Sequence, residues 1–269
     1  MNICFIGGGN MSTALIGGLL GQGFSADEIS VVEINPENRE RLFRDFGVRA
    51  VEDLEEGVGG SEAIVLAVKP QQLQDLLKNL SPLLSGQLLI SIAAGIRAVD
   101  IARWTGARSV VRAMPNTPAL IKSGITGMYA LPEAGAGQKE AAQRILSAVG
   151  EVVWLENEAM MDSVTAISGS GPAYVFYMME ALQQAAVELG FSDEDAKRLS
   201  LATFLGASKL AAGSADPVDV LRARVTSKNG TTERALMSME GNHVKQHIVD
   251  AAKAAAARSR ELGDELGNS

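Results

Sequence analysis

Along the first half of the chain, apolar positions follow two alternating rhythms. Asn2 to Ile6, Ile29 to Ile34, Ala63 to Val68, Leu88 to Ala93 and Ser109 to Met114 are short unbroken runs rich in Val and Ile. Such runs predict strands of a parallel sheet buried on both faces. Between them, Met11 to Leu20, Pro36 to Phe46, Gln71 to Leu80 and Val99 to Trp104 carry apolar residues at helical spacing. Asn35-Pro36 suits a helix start, with Asn as cap and Pro at the first helical position. Regular alternation of strand and helix predicts right-handed βαβ units and a doubly wound sheet. After about residue 157 the strand signal ends, and Ala, Leu, Glu and Met dominate. One helix is expected to start at Ser192, with Asp193, Glu194 and Asp195 where the helix dipole favours acids. The last starts near Val244. The expected organisation is an α/β domain over 1–157, then an all-helical domain over 158–269, with no flexible linker and no internal repeat.

Composition narrows the partners. The 269 residues carry a net charge of −8, which argues against nucleic acid or an anionic membrane. Phosphates of any ligand must therefore be held by backbone dipoles. The longest apolar run, Leu88 to Ile96, falls well short of the roughly 18 residues that span a bilayer. The first residues lack the basic flank and cleavage site of a signal peptide. The single cysteine, Cys4, lies in the first apolar run, where a buried structural thiol is expected, and it permits neither a disulfide framework nor a cysteine metal site. These features suggest a cytoplasmic protein.

Candidate chemistry begins at "NICFIGGGNMSTALIGG". A strand, then Gly7-x-Gly9-x-x-Ser12, then a helix has the form of a dinucleotide-binding turn of the Rossmann type. The first glycine permits the tight turn, the second lets the backbone approach a pyrophosphate, and the third position packs helix on strand. Glu33 ends the second strand. It is either the acid that meets the adenosine ribose, favouring NAD over NADP, or a solvated strand-end acid. Arg39 and Arg41 either meet a phosphate or line a solvated face. "AVKP" (67–70), "SIAAG" (91–95), "MPNTP" (114–118) and "ISGSGPAY" (167–174) fall at strand ends or before the helices, where ligands of such sheets collect.

The only histidines, His243 and His247, stand four apart near the start of the last helix, without the acid of a metalloprotease motif, so no metal site is expected. With no histidine in the α/β domain, an imidazole base is excluded there. Hydride transfer to a protonated imine needs none, because the iminium already carries the activating charge.

"GGGNM", "AVKP", "MPNTP", "SGSGPAY" and "VTSKNGTT", in this order, resemble the pyrroline-5-carboxylate reductases, from Ile3 to about Leu262. The resemblance implies reduction of Δ1-pyrroline-5-carboxylate to L-proline with NADPH or NADH. It also implies a Rossmann domain followed by a helical dimerisation domain, and dimers that assemble further into decamers. By the same resemblance, Ile6, Gly7, Gly8, Gly9, Asn10 and Met11 cradle the pyrophosphate. Val68, Lys69, Pro70, Ala93, Ala94 and Gly95 line the cofactor, and Asn116 lies by the nicotinamide. Glu158, Ser227, Gly230, Thr231 and Thr232 form the substrate end. Backbone amides of the 227–232 loop hold the carboxylate, and the Thr232 hydroxyl meets the ring nitrogen. A Ser/Gly/Thr loop opening a helix suits an anion on physical grounds also. The chain departs from the family at Lys228-Asn229, where Pro-Gly is common, at Arg224, where Asn is frequent, and at Leu54, near a frequent ribose-contacting Asn. A β-hydroxyacid dehydrogenase shares this layout but needs a lysine after the Ser/Gly turn, and none follows Gly171 until Lys197. A non-catalytic NAD(P)-binding protein would have no use for the Thr-rich loop.

Overall fold

The computed structural model describes residues 1–267. Its strands are β1 (Ile3–Ile6), β2 (Ile29–Val32), β3 (Arg49–Val51), β4 (Ala63–Leu66), β5 (Leu88–Ser91), β6 (Val110–Met114), β7 (Gly124–Ala130) and β8 (Gly150–Trp154). They form one sheet in the order β3-β2-β1-β4-β5-β6-β7-β8. The first six in that order pair parallel; β7 runs antiparallel to β6, and β8 parallel to β7. The helices of the α/β part are α1 (Asn10–Gly21), α2 (Pro36–Phe46), α3 (Leu54–Val58), α4 (Pro70–Leu80), α5 (Ala98–Thr105) and α6 (Ala136–Leu146). After the sheet come α7 (Met160–Val164), α8 (Gly171–Glu188), α9 (Asp193–Ala212), α10 (Val218–Arg224), α11 (Thr231–Gly241) and α12 (Val244–Gly267).

The unbroken apolar runs have the expected cause. Alternate residues of the strands feed two cores. Ile3, Phe5, Val65, Ile90 and Val111 pack with Leu15, Ile16 and Leu19 of α1 and Ile145 of α6. Cys4, Ile6, Ile64, Leu66 and Leu89 pack with Leu73 and Leu77 of α4 and Ile101 of α5. Burial pushes the Cys4 thiol up to about 11, so it is a small apolar filler. Asn35 caps α2 through its side chain, accepting from the Asn38 N–H at 3.1 Å, and Ser192 caps α9 in the same way.

By internal packing the described chain forms two compact units. One comprises Met1–Ser170 with 253–267, and the other Gly171–Ala252. The division thus falls inside α12. In the second unit Ser200 of α9 donates to the Met179 carbonyl of α8 at 3.0 Å. Only Ala196 and Ser200 are buried there, while Phe176, Tyr177, Leu182, Leu189, Leu205 and Leu210 are exposed. A helical layer with so small a core does not account for its own apolar content.

Strands β7 and β8 escape the sequence pattern because glycines dilute them, and the glycines are there for packing. At Gly127 a Cβ would stand 2.6 Å from Val164 Cγ1 of α7. Gly150, paired with Gly124, has φ +147°, and a Cβ there would stand 1.9 Å from the Gly124 carbonyl oxygen. Gly150→Ala is therefore expected to destabilise the protein by about 2–4 kcal/mol through overpacking and backbone strain. Urea titration measures it, and an unchanged midpoint would show that the two strands can separate at no cost.

Candidate active site

The glycine turn at the end of β1 uses its three glycines differently. Gly7 sits at φ +102° and donates its N–H to the Val32 carbonyl at 2.8 Å. A Cβ on it would stand 2.7 Å from the Ala67 carbonyl oxygen. At Gly8 a Cβ would meet Leu42 Cδ1 at 2.7 Å. Gly7 is thus required by the backbone it meets and by its own conformation, whereas a side chain at 8 would displace the Leu42 and Glu33 side chains. Gly9 is different: its backbone is extended, at φ −73°, and nothing lies within 4 Å of its Cβ position. α1 starts there without a side-chain cap, and the Asn10 and Met11 N–H groups receive no acceptor among the described residues. Open space in front of uncapped N–H groups is the arrangement that holds a pyrophosphate. Ser12, fully buried, donates its hydroxyl to the Gly7 carbonyl at 2.6 Å and ties helix to turn.

At the end of β2, Glu33 is anchored on this turn. One carboxylate oxygen accepts from the Gly8 N–H at 2.8 Å and the other from the Asn35 N–H at 2.8 Å. The two arginines are committed locally. Arg39 donates to the carbonyls of Glu33 (2.7 Å) and Ile34 (2.9 Å) and pairs with Glu52, while Arg41 donates to the Gly8 carbonyl at 3.2 Å. Leu54 is the first residue of α3, which Asp53 caps.

Parallel pairing carries the neighbouring loops to the same edge. The Ala67 N–H donates to the Ile6 carbonyl and the Ile92 N–H to that of Leu66, so the 67–70 and 91–95 loops continue the ladder beyond their strands. Val68 Cγ1 lies 3.3 Å from the Gly7 Cβ position, exposed Lys69 precedes α4, and Pro70 is its first residue. Ala93 is buried, and Gly95 turns at φ +80°. The "MPNTP" and "ISGSG" loops meet. Asn116 donates its amide to the Ser168 carbonyl at 3.1 Å and accepts from the Ile125 N–H at 3.0 Å. Residues Thr165–Gly169 form a π-helical turn between α7 and α8, and a Cβ at Gly169 would stand 2.7 Å from Met114 Cε. Insertions of this kind are frequent at functional sites.

One charged residue of this edge goes unremarked in the motifs. Arg112, in the middle of β6, is only 4% exposed. Its guanidinium meets Glu158 at 3.2 Å, and the same carboxylate oxygen accepts from the Ala98 N–H in the first turn of α5 at 2.6 Å. A buried cation must be paired, and a lone arginine inside "SVVRAM" is the signal that could have revealed it. Glu158, expected at the substrate end, thus has one carboxylate oxygen engaged by both Arg112 and α5.

The 227–232 loop lies in the second unit. Asn229 takes the left-handed conformation, φ +59°, that the Pro-Gly departure requires, and its N–H donates to Glu233 at 2.6 Å. Gly230 caps α11 without a side chain. Thr231 and Thr232 fill the first turn, and the Thr232 hydroxyl has no partner among the described residues. Lys228 is exposed, and Arg224 pairs with Asp216. His243 sits at φ +54° in the turn between α11 and α12, with His247 in the first turn of α12.

Residues 158–262 match the family model for pyrroline-5-carboxylate reductase dimerisation, and residues 2–95 one described as NADP oxidoreductase, coenzyme F420-dependent. A pyrroline-5-carboxylate reductase of Pseudomonas aeruginosa is 46% identical over 98% of each chain. The structure of a pyrroline-5-carboxylate reductase from Coxiella burnetii superposes with a TM-score of 0.92 at 39% identity, covering 97% of this chain and 98% of that one. A pyrroline carboxylate reductase from Plasmodium falciparum with NADP bound gives 0.87 at 30% identity, covering 98% of each chain.

Gly9→Val is expected to weaken dinucleotide binding by at least about tenfold with little change in melting temperature, since the side chain meets nothing of the protein and fills the space before α1. Fluorescence titration and thermal melts measure the two effects. Unchanged affinity would mean that the turn is purely structural.

Proposed function

The chain belongs to the pyrroline-5-carboxylate reductase family, NADP(H)-dependent oxidoreductases of proline biosynthesis, and we propose that it divides the reaction between two glycine-started helices, α1 for the coenzyme and α11 for the substrate. The reaction is the reduction of Δ1-pyrroline-5-carboxylate to L-proline. The observation that supports the division is that each helix presents unpartnered polar groups in its first turn: the Asn10 and Met11 N–H groups before the open Gly9 on α1, and the Thr232 hydroxyl on α11, have no partner among the described residues.

NADPH supplies the hydride. Gly9, Asn10 and Met11 hold its pyrophosphate through backbone N–H groups, with Ile6, Gly7 and Gly8 shaping the turn. Val68, Lys69, Pro70, Ala93, Ala94 and Gly95 line the dinucleotide, and Asn116, held by Ser168 and Ile125, fixes the loop beside the nicotinamide. Glu33 holds the turn through the Gly8 and Asn35 N–H groups, and NADH serves as the alternative donor. The N–H groups of the Ser227, Gly230, Thr231 and Thr232 loop hold the substrate carboxylate. The iminium N–H donates to the Thr232 hydroxyl oxygen, which orients the ring. As hydride adds to the imine carbon, the C=N π pair moves onto nitrogen, which already carries its proton; no side-chain acid is needed. Glu158 serves the substrate end indirectly, holding α5 and Arg112 in place.

The chain carries the family's dimerisation domain and forms a homodimer, which covers the apolar face of α8–α10. Five such dimers form a decamer in this proposal, in the cytoplasm. No described helix is long and apolar enough to cross a membrane. Light scattering should give a mass of ten chains, and a folded dimer at working concentration would remove the higher assembly.

Thr232→Ala is expected to lower kcat by roughly tenfold to a hundredfold, the loss of one orienting hydrogen bond of about 1–3 kcal/mol. Thr232→Ser should keep most of it. Initial rates with pyrroline-5-carboxylate and NADPH or NADH, with melting curves of both variants, are the measurement. Full turnover in the Ala variant would take Thr232 out of the site.

A further inference from the structure

The last three turns of α12 return to the α/β unit and pack on α5 and on the loop that precedes it. Gly95, at φ +80°, faces α12 directly: a Cβ there would lie 3.4 Å from Leu262 Cβ. Gly263 approaches from the other side, and a Cβ on it would stand 3.2 Å from the Gly95 carbonyl oxygen and 3.4 Å from the Arg97 guanidinium. Three polar contacts hold this approach. Arg97 pairs with Asp264, Arg103 donates to the Gly267 carbonyl, and Ser259, buried, donates to Asp162 at 2.7 Å. Gly267 closes on Asp100, where a Cβ would stand 2.5 Å from a carboxylate oxygen that has no hydrogen-bond partner among the described residues. Ser259, Gly263 and Gly267 are four residues apart, so they share one face of the helix, and that face is buried against α7, this loop and α5.

We propose that the end of α12 is a positioning element of the coenzyme site, with Gly263 its critical residue: it backs the Ile92–Gly95 loop and keeps it in the shape that accepts the dinucleotide. The physical reason is the close backbone approach on that side, just before Ile96 enters the core. The loop has left the sheet after Ser91, its own ties are the Ile92 N–H to Leu66 and the Ala93 N–H to Ser91, and beyond Ala93 its backbone leans on Leu262 and Gly263. A side chain at 263 pushes on the Gly95 carbonyl and displaces the loop toward the ligand edge. The matched dimerisation family model ends at residue 262, so Gly263, Asp264 and Gly267 act outside it. The inference rests on assigning Ala93–Gly95 to the coenzyme.

The test is a titration of the full-length protein with NADPH, read by coenzyme fluorescence, for Gly263→Ala, Gly263→Leu, Gly95→Val and, as a control on an exposed position, Arg260→Ala. Gly95→Val and Gly263→Leu should each raise Kd about tenfold or more, Gly263→Ala a few-fold, and Arg260→Ala should bind as the parent. KM for NADPH should rise in step, with KM for pyrroline-5-carboxylate unchanged, a split that a loss of general stability would not produce. Gly263→Ala needs a shift of only a few tenths of an ångström, so it decides the question if the Leu variant does not fold. Parent-like NADPH binding in a folded Gly263→Ala and Gly263→Leu, with binding lost in Gly95→Val, would overturn the proposal alone. Parent-like binding in Gly95→Val would remove the loop from the coenzyme site, and this role of α12 with it.

Discussion

Parallel pairing is the constraint on which the binding edge depends. Six strands that all run the same way must deliver their chain exits to the same side, so the loops after β1, β2, β4, β5 and β6 are neighbours by geometry alone. The order reverses between β1 and β4, which leaves a crevice at the end of β1, and there the turn with the open Gly9 lies. The ladder continues past the strands through Ala67 to Ile6 and Ile92 to Leu66, so loop positions inherit the precision of the sheet. Ligand-facing backbone on so rigid a base requires little ordering on binding.

Arg112 shows how the same sheet carries polarity through its interior. A guanidinium among apolar strands must find a partner, and the partner, Glu158, comes from the segment that leaves β8 for the helices. That carboxylate also terminates the first turn of α5. One buried charge therefore specifies where the chain exits the sheet and where the helix after β5 begins. Removing either member would leave the other buried without compensation, which is why the pair is read as a device of specificity more than of stability.

Legibility in the sequence followed the strength of local physics. Strands buried on both faces are unmistakable runs, and α2 starts at Asn35-Pro36 and spans Pro36–Phe46 as expected. The turn at Gly7–Gly9 was legible because it combines three residue choices with a strand before and a helix after. β3 has three residues, and α3 five, too short for any period to show. β7 and β8 were hidden by glycines that serve close crossings, and α6 by a mixed polar surface. The commitment of the Glu158 carboxylate to Arg112, and the return of residues 253–267 to the α/β unit, are set by contacts far apart in sequence. No window along the chain contains both partners.

Cys4 sits in the middle of this arrangement, inside β1, and burial pushes its thiol up to about 11. At neutral pH only about one molecule in ten thousand would carry the reactive thiolate. The chain has no second cysteine to pair with it. Held protonated inside β1, this thiol is closed to oxidants while the chain stays folded, and its chemistry is left to the unfolded state.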